Sequence, residues 1–445
     1  MIKLAVFSDS HLGAGLTDFS ERRNDIVKGF RVFSEKIGES NPDGLIFTGD
    51  LFHEVYPRKP SHFNFAIREF TWLGEKLSDK CTVTSVHENK KVPPLFMIHG
   101  NHDGTRDPDS PAKYSSILEL FEIFQIANYT DLYVTEEITE PKIFLMEDKD
   151  VKLGIQGFGY RHPNVARNLL KEFTPMDDVD YNLLLMHQTI EGLQTPTTPI
   201  QGLLQEEIVE LGFDVIIDGH IHRPLDPVPK IRDTLIILPG STERIDSGEI
   251  GEKKGYFILE FGKNGINTIF KEIDLDSEVR RLHRIRVNIA DFVGREILDE
   301  AIKEVKSKLK DPLNAYVVID LLGKVRESVS PEIRSSIANA VEKMGVAHVV
   351  IRDKTKAKTL PLLSVGESKT IEIGEDLFKK LLEEKPLKTK DKKPIRDEEI
   401  IKKLAGLTYK VFEASKSDNE EETKKLFTED LRKIVKDLKE REEHS

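Results

Sequence analysis

Polar side chains that can bind metal follow five separate apolar runs of the sequence. The runs are short and nearly continuous, as expected of strands buried on both faces. Because the loops at the carboxyl ends of the strands of an α/β sheet converge on one ligand site, these side chains are expected to meet. They are Asp9 and His11, Asp50 and His53, Asn101 with His102 and Asp103, His187, and His220 with His222.

Each of these residues alone has an ordinary explanation. A histidine after a strand is more often a surface or satisfied core residue than a ligand, and Asp or Asn in a turn can cap the next helix. Together, four histidines, the aspartates Asp9 and Asp50, and Asn101 form a mixed nitrogen and oxygen set, which suits a pair of divalent transition metals. Two such ions beside two carboxylates keep a net positive charge, which would attract a phosphodiester anion.

The elements that must position these residues follow one pattern over 2–275. Apolar runs alternate with glycine-containing turns and with helix-like segments near 21–38, 61–78 and 113–126. This alternation predicts an α/β domain with a large sheet or a pair of packed sheets. The apolar runs lie at 2–7, 44–47, 94–98, 152–158, 181–186, 214–217, 234–240 and 255–261.

The pattern changes after residue 275. Residues 276–353 indicate a smaller β-α-β-α-β domain, and the Pro- and Lys-rich segment 354–395 is typical of a linker. Residues 396–445 predict a helical hairpin, because two apolar stripes repeat at the spacing of packed helices. The stripes are formed by Ile400, Leu404, Leu407, Val411, Phe427, Leu431, Ile434 and Leu438.

Composition sets outer limits on the function. A chain of 445 residues with a net charge of −12 is long enough for two or three domains, and it is not positively charged over its whole surface. A local basic patch or bound metal could still attract nucleic acid. The single cysteine, Cys81, excludes an internal disulfide and fits a reducing cytosol. With no long apolar run, neither a membrane span nor a signal peptide is expected.

The motif series DSH, GDLFH, GNHD, a lone histidine after an apolar strand, and GHIH resembles the calcineurin-like metallophosphoesterase superfamily. Within it, GDLFH followed by PRKPS, and LPGSTER at 238–244, resemble the SbcD-type recombination nucleases, in particular the archaeal double-strand-break repair nucleases. The resemblance implies an α/β two-sheet sandwich flanked by helices over 1–275. It also implies a small α+β DNA-capping domain over 276–353 and a C-terminal helical hairpin.

The resemblance also implies a role for each residue of the motifs. One ion would be held by Asp9, His11 and His222, the other by Asn101, His187 and His220, and Asp50 would bridge them. Manganese is the ion that this family favours. His102 would contact the scissile phosphate and help to protonate the leaving oxygen, and His53 would lie beside the phosphate. Asp103 would orient His102 or its loop.

The implied function is a manganese-dependent DNA exonuclease and endonuclease in double-strand-break repair, cytoplasmic and nucleoid-associated. Its partners would be DNA ends, an SMC-like ABC-type ATPase bound by the hairpin, and a second copy of the chain. The helices near 61–78 and 113–126 are candidates for the homodimer contact, with core packing as the alternative for the apolar face Ile117, Leu120, Phe121 and Phe124. DNA contacts are expected from Arg280, Arg281, Arg284 and Arg286, unless these form a solvated edge strand.

Two other functions stay open at the level of sequence. A metallophosphoesterase of small phosphodiesters or phosphoproteins would use the same ligands, and a non-catalytic scaffold could tether DNA ends. The complete ligand set together with His102 argues against a scaffold alone. A small-molecule esterase has no evident need for the residues after 275. Phosphoprotein phosphatases carry a stretch rich in Asp and Arg after their GD, where this chain has LFHEVY.

Overall fold

The computed structural model describes residues 1–15, 21–57, 59–106, 114–134, 139–193, 201–290, 292–325, 329–357 and 402. The chain divides into two compact units, Met1–Lys358 and Thr359–Ser445. Apart from residue 402, the predicted helical hairpin at 396–445, including both apolar stripes, lies outside the described residues, as does most of the linker at 354–395. No helix in the described ranges is long and apolar enough to cross a membrane.

Residues 1–275 form the strands and helices of the larger part of the first unit. The described helices are α1 (Arg22–Glu39), α2 (Pro60–Lys76), α3 (Glu119–Ile123), α4 (Pro163–Leu169) and α5 (Gln205–Val209). The described strands are β1 (Ile2–Phe7), β2 (Gly44–Phe47), β3 (Thr82–Ser85), β4 (Lys90–Lys91), β5 (Leu95–Met97), β6 (Gly104–Arg106), β7 (Tyr114–Ser116), β8 (Asn128–Tyr129), β9 (Leu132–Val134), β10 (Thr139–Pro141), β11 (Phe144–Glu147), β12 (Lys152–Gly157), β13 (Tyr181–Met186), β14 (Val215–Asp218), β15 (Lys230–Ile231), β16 (Thr234–Ile237), β17 (Gly255–Gly262) and β18 (Gly265–Glu272).

Two large sheets organise these strands. The first sheet has six strands in the order β18-β17-β1-β2-β5-β8, and the second has eight in the order β15-β16-β14-β13-β12-β11-β3-β4. The central strands β1, β2 and β5 are mutually parallel, and so are β12, β13, β14 and β16. The prediction of an α/β sandwich made of two packed sheets is therefore confirmed.

The apolar runs are continuous because alternate residues of one strand enter different cores. In β1, Leu4 and Val6 pack between the two sheets, whereas Ala5 and Phe7 pack under α1 and α2. Since side chains alternate across a strand, a strand covered on both faces needs apolar residues at every position. Strand β13 repeats this arrangement, with Leu183 and Leu185 between the sheets and Leu184 and Met186 on the outer face.

The helices on the first sheet have apolar faces with helical spacing. Helix α1 buries Ile26, Phe30, Phe33 and Ile37, at spacings of four, three and four residues. Helix α2 begins at Pro60, which suits the first helical position because its missing N–H needs no partner there. Its Phe70 ring contacts Phe7 of β1 and Phe47 of β2, at centroid distances of 6.1 and 5.5 Å.

The parallel strands of the two sheets end on the same side of the sandwich. The loops after β1, β2 and β5 come from the first sheet, and the loops after β13 and β14 come from the second. Two hydrogen bonds join these loops across the sheets: the His220 N–H donates to the Asp9 carboxylate, and His187 Nδ1 donates to the Thr48 carbonyl at 2.6 Å. The residues predicted to bind metal therefore lie at one edge of the sandwich.

Residues after 281 form a third sheet with its own core. The elements of this part are β19 (Leu282–Asn288), α6 (Arg295–Lys308), β20 (Tyr316–Leu322), β21 (Lys324–Val325), α7 (Pro331–Glu342), β22 (His348–Asp353) and β23 (Lys356–Ala357). Strands β21 and β23 pair with each other in a separate two-stranded sheet. Strands β19, β20 and β22 are parallel, and apolar residues of α6 and α7 pack against them. This part, called the cap below, belongs to the same compact unit as the sandwich.

The helix predicted near 113–126 is only partly right. Residues Tyr114–Ser116 form a strand, and α3 covers only Glu119–Ile123. Phe121 is fully buried and Ile117 packs against the core, whereas 54% of Phe124 is exposed. The stripe proposed for a dimer contact is therefore divided between core and surface. Strands β3, β11 and β18 were not predicted from the sequence, because polar residues interrupt their apolar runs.

Candidate metal centre

The loops at this edge carry residues in left-handed backbone conformations. Asp9, His11, Asp50 and His220 have φ angles of 53°, 44°, 54° and 72°. Such a conformation costs a residue with a Cβ on the order of 1–3 kcal/mol, and it persists only where the surrounding structure imposes it. Gly49, at φ +95°, allows the close approach, because a Cβ there would lie 2.6 Å from His187 Nδ1. Four predicted ligands thus occupy strained positions.

The first group of predicted ligands consists of Asp9, His11 and His222. His11 Nε2 lies 3.0 Å from His222 Nε2 and 3.9 Å from Asp9 Oδ1, and His222 Nε2 lies 3.7 Å from the same Asp9 oxygen. Their ligand atoms all fall within 4.8 Å of one another. Two ring nitrogens and a carboxylate oxygen directed at one point form a donor set that a divalent transition metal fits.

The second group consists of Asn101, His187 and His220. Asn101 Oδ1 lies 3.3 Å from His187 Nε2 and 3.0 Å from His220 Nδ1. The side chain of His187 is completely buried, whereas His220 is partly exposed. An amide oxygen and two imidazole nitrogens give this group the same mixed character as the first.

Asp50 lies between the two groups. Its Oδ2 atom is 3.5 Å from His11 Nε2 of the first group and 3.4 Å from His187 Nε2 of the second. Its other oxygen, Oδ1, accepts a hydrogen bond of 2.8 Å from the His102 backbone N–H. One carboxylate oxygen therefore reaches both groups, which is the arrangement that a bridging ligand needs.

Among the four histidines of the two groups, the surroundings lower the pKa of two and raise the pKa of the other two. Burial lowers the pKa of His11 well below its usual value, and burial together with His187 lowers the pKa of His220 to about 3. Burial also acts to lower the pKa of His187, but the Asp50 and Asp9 carboxylates and the Thr48 carbonyl together raise it to about 10. The pKa of His222 is raised in the same way by Glu249. Metal binding to His187 and His222 would therefore release protons.

Contacts outside the two groups fix the rings. His187 Nδ1 donates to the Thr48 carbonyl, so its Nε2 atom faces Asn101 and Asp50. Asp103 is also buried, and its carboxylate accepts from the backbone N–H groups of Leu51 and Gly100. Asp103 thus joins the loop after β2 to the loop after β5, which agrees with the expectation that it orients the loop of His102.

His53 and His102 lie together beside the first group. Their rings stack with centroids 4.8 Å apart and planes 18° apart, and His102 Nδ1 donates to the His53 carbonyl at 2.9 Å. His53 Nδ1 lies 3.3 Å from His11 Nδ1. The atoms of His11, His53 and His102 also fall within 4.8 Å of one another, so proximity alone does not separate ligands from neighbours.

Three buried residues near the centre, Glu249, Lys254 and His99, were not predicted from the sequence to have a role. Glu249 Oε1 accepts from His222 Nδ1 at 2.8 Å, and Lys254 donates to Glu249 Oε2 at 2.6 Å. The His99 ring forms hydrogen bonds with the Tyr129 hydroxyl at 2.5 Å and with the Arg161 guanidinium at 2.9 Å. A buried lysine is rare unless it is paired, but a sequence does not reveal which lysine is buried.

The arginines predicted to bind DNA lie at the entry to the cap and along its edge strand β19. Arg280 pairs with Asp25 at 3.4 Å, Arg281 with Asp311, and Arg284 with Asp320 at 2.7 Å. Arg286 lies on the same face of β19 as Arg284 and is exposed. Three of the four charges are therefore neutralised by carboxylates of the chain itself.

The part of the chain that carries the metal centre matches a known protein family. Residues 2–224, half of the chain, match the family of calcineurin-like phosphoesterases, and the chain belongs to that family. The chain therefore carries the metallophosphoesterase domain of a family of hydrolases that use divalent metals. The chain is also 24% identical over 351 residues to the DNA double-strand break repair protein Mre11 of Archaeoglobus fulgidus, spanning 78% of this chain and 73% of that relative.

Solved structures give more distant similarities. An archaeal phosphodiesterase is 18% identical with a TM-score of 0.28, covering 61% of this chain and 100% of that one. The purple acid phosphatase of yellow lupin (Lupinus luteus) seeds is 13% identical with a TM-score of 0.34, covering 63% and 52%. Neither similarity is close enough to carry an argument about function.

Proposed function

We propose that the protein is a metal-dependent nuclease that hydrolyses the phosphodiester bonds of DNA and works best with manganese. The observation that carries the proposal is the position of Asp50, whose Oδ2 atom lies 3.5 Å from His11 and 3.4 Å from His187. A carboxylate shared between two nitrogen and oxygen groups suits a pair of ions that acts on one phosphate.

The residues of the centre fit the ions that the family uses. Asp9, His11 and His222 would hold one ion, Asn101, His187 and His220 the other, and Asp50 both. When bound, such a pair neutralises the phosphate charge and makes a water molecule acidic enough to attack. The mixed donor set accepts manganese, and the same set accepts other divalent metals.

His102 is the residue that we assign to proton transfer. Its backbone N–H is tied to Asp50 and its Nδ1 to the His53 carbonyl, so the ring has a fixed orientation with Nε2 left for substrate. With Nδ1–H bound to the carbonyl, the ring would act in its doubly protonated form and give its Nε2 proton to the leaving oxygen, an effect typically worth about 10²–10⁴-fold in rate. His53, stacked on His102, would lie beside the phosphate.

DNA is the proposed substrate because two features agree. The relative from Archaeoglobus fulgidus is named for DNA double-strand break repair, and its similarity extends over 78% of this chain. The cap adds a second compact core beyond the sandwich that holds the centre. We propose that the cap helps to bind duplex DNA, that an SMC-like ABC-type ATPase binds residues 396–445, and that the chain acts as a homodimer at DNA ends.

The test is a substrate comparison with the full chain and manganese. Duplex DNA labelled at either end, bis(p-nitrophenyl) phosphate and a phosphopeptide would be incubated under the same conditions. We expect cleavage of DNA at a kcat/KM well above that for the two small substrates. Preference for a small substrate would instead make the chain a general phosphoesterase, and binding of DNA ends without any hydrolysis would make it a scaffold.

A further inference from the structure

We propose that Glu249 is a positioning residue for His222, and that the buried ammonium of Lys254 holds Glu249 in place. The inference rests on the metal site of the proposed function, because it concerns how one of its ligands is oriented. Glu249 and Lys254 together would control metal binding by the first group, Asp9, His11 and His222, and would leave metal binding by the second group unaffected.

Hydrogen bonds link the side chains of His222, Glu249 and Lys254 in a chain. His222 Nδ1 donates to Glu249 Oε1 at 2.8 Å, and Lys254 Nζ donates to Glu249 Oε2 at 2.6 Å. Lys254 also donates to Ser241 Oγ at 2.7 Å and to the His222 carbonyl at 3.0 Å. The lysine therefore binds the backbone of His222 and the carboxylate that orients its ring at the same time.

This network selects one tautomer of the His222 ring. The Glu249 carboxylate pairs with the buried Lys254 ammonium through Oε2 at 2.6 Å and faces the His222 ring through Oε1 at 2.8 Å. An ionised carboxylate can only accept, so the proton of His222 lies on Nδ1 and Nε2 offers its lone pair to the centre. Partners of this kind on metal-binding histidines commonly account for about 10–100-fold in metal affinity.

A side-chain partner matters more for the orientation of His222 in the first group than for that of His187 in the second. The side chain of His222 is 26% exposed, whereas that of His187 is completely buried. His187 is oriented by the backbone carbonyl of Thr48, which no side-chain substitution removes. The orientation of His222 rests on side chains alone, and burying the Lys254 ammonium to secure it is costly unless every donor is paired.

The test removes both charges together, because removing one alone would leave the other buried and unpaired. In the full chain, the double variant E249L/K254M should keep its fold, with a Tm in metal-free buffer within about 4 °C of wild type. Titration with Mn²⁺ alone should give one site of unchanged affinity and one weakened by about 10–100-fold. Metal content after gel filtration should fall from about two ions per chain toward one.

A second variant separates positioning from packing. E249Q/K254M restores an amide oxygen that can accept from His222 Nδ1, and it should recover most of the lost Mn²⁺ affinity. The matched control is D320N in the cap, where a buried carboxylate also pairs with a lysine and an arginine but lies outside the centre. D320N should bind manganese as the wild type does.

The outcomes distinguish this inference from the proposed function. Wild-type protein that binds no divalent metal would overturn the metal site itself. Wild type with two ions and E249L/K254M with the same two affinities would overturn only the role of Glu249. Loss of both ions together with a lowered Tm in metal-free buffer would also overturn it, because that result marks a structural role.

Discussion

The metal centre and the arginines at 280–286 were both predicted from the sequence as binding sites, and the structure separates them. Both are groups of charged or metal-binding residues that stand out from their surroundings. In the centre, side chains from five loops face one another with nitrogen and oxygen atoms 3.0–3.9 Å apart. In the cluster, Arg280, Arg281 and Arg284 each face a carboxylate of the chain.

This difference shows what marks a binding site. Histidines and aspartates that converge from distant strands bring several nitrogen and oxygen atoms close enough together to bind one metal ion. Arginines that already have carboxylate partners have less to gain from a phosphate, because each contact with DNA would first break an internal ion pair. Convergence of several elements is therefore stronger evidence for a site than a run of like charges on one strand.

The largest effect is expected at the carboxylate shared by the two groups. Asp50→Asn keeps the size of the side chain but removes its charge, so metal content should fall at both sites and hydrolysis should be abolished while the fold survives. Elemental analysis and a DNA cleavage assay measure both. The control is Asp43→Asn, a buried carboxylate just before the opposite end of β2, which should keep metal and activity. An active Asp50→Asn protein with both metals would refute the bridging role.

The next effect separates chemistry from metal binding within the centre. His102→Ala should keep both metals and DNA affinity but lower the cleavage rate by about 10²–10⁴-fold, because it removes the proposed proton donor. Metal titration, DNA binding and single-turnover cleavage test the three statements. His87→Ala, a histidine paired with Glu140 outside the centre, is the matched control. Loss of metal in His102→Ala would make it a ligand, and an unchanged rate would remove it from the mechanism.

A smaller effect is expected in the arginine cluster. Arg286→Ala removes the exposed arginine of β19 and should weaken duplex binding a few-fold, independently of DNA sequence, with a salt slope reduced by about 1. Arg281→Ala, whose guanidinium pairs with Asp311, should change DNA binding less. Binding isotherms at several salt concentrations test this order. Equal losses for both variants would mean that the internal ion pairs open when DNA binds.

The smallest effect on catalysis is expected from the C-terminal segment. Deleting residues 396–445 should leave manganese-dependent cleavage unchanged and abolish association with an SMC-like ABC-type ATPase. Two short apolar stripes cannot bury themselves alone, but they could pack on the coiled coil of a partner. Cleavage by the truncated chain and its co-purification with such an ATPase are the measurements. If the truncated chain unfolds or loses activity, the segment belongs to the fold of this protein.

The sequence by itself predicted the central strands of the sheets and the candidate ligands. Apolar runs such as 2–7 and 181–186 match β1 and β13 residue for residue, because strands buried on both faces need apolar side chains at every position. The polar residues directly after these strands had to lie near one another, since parallel strands end at the same edge.

The tertiary structure alone decided how those residues are held. The left-handed backbone of Asp9 and Asp50 is held by hydrogen bonds between their two loops, from the Asp9 N–H to the Gly49 carbonyl and from the His11 N–H to the Asp50 carbonyl, across about 40 residues of sequence. Glu249 and Arg280 bear the same kinds of charge as many surface residues, and only folding places them beside His222 and Asp25. The physical reason is distance along the chain: patterns in sequence report local periodicity, whereas orientation of a ligand depends on partners that lie tens to hundreds of residues away.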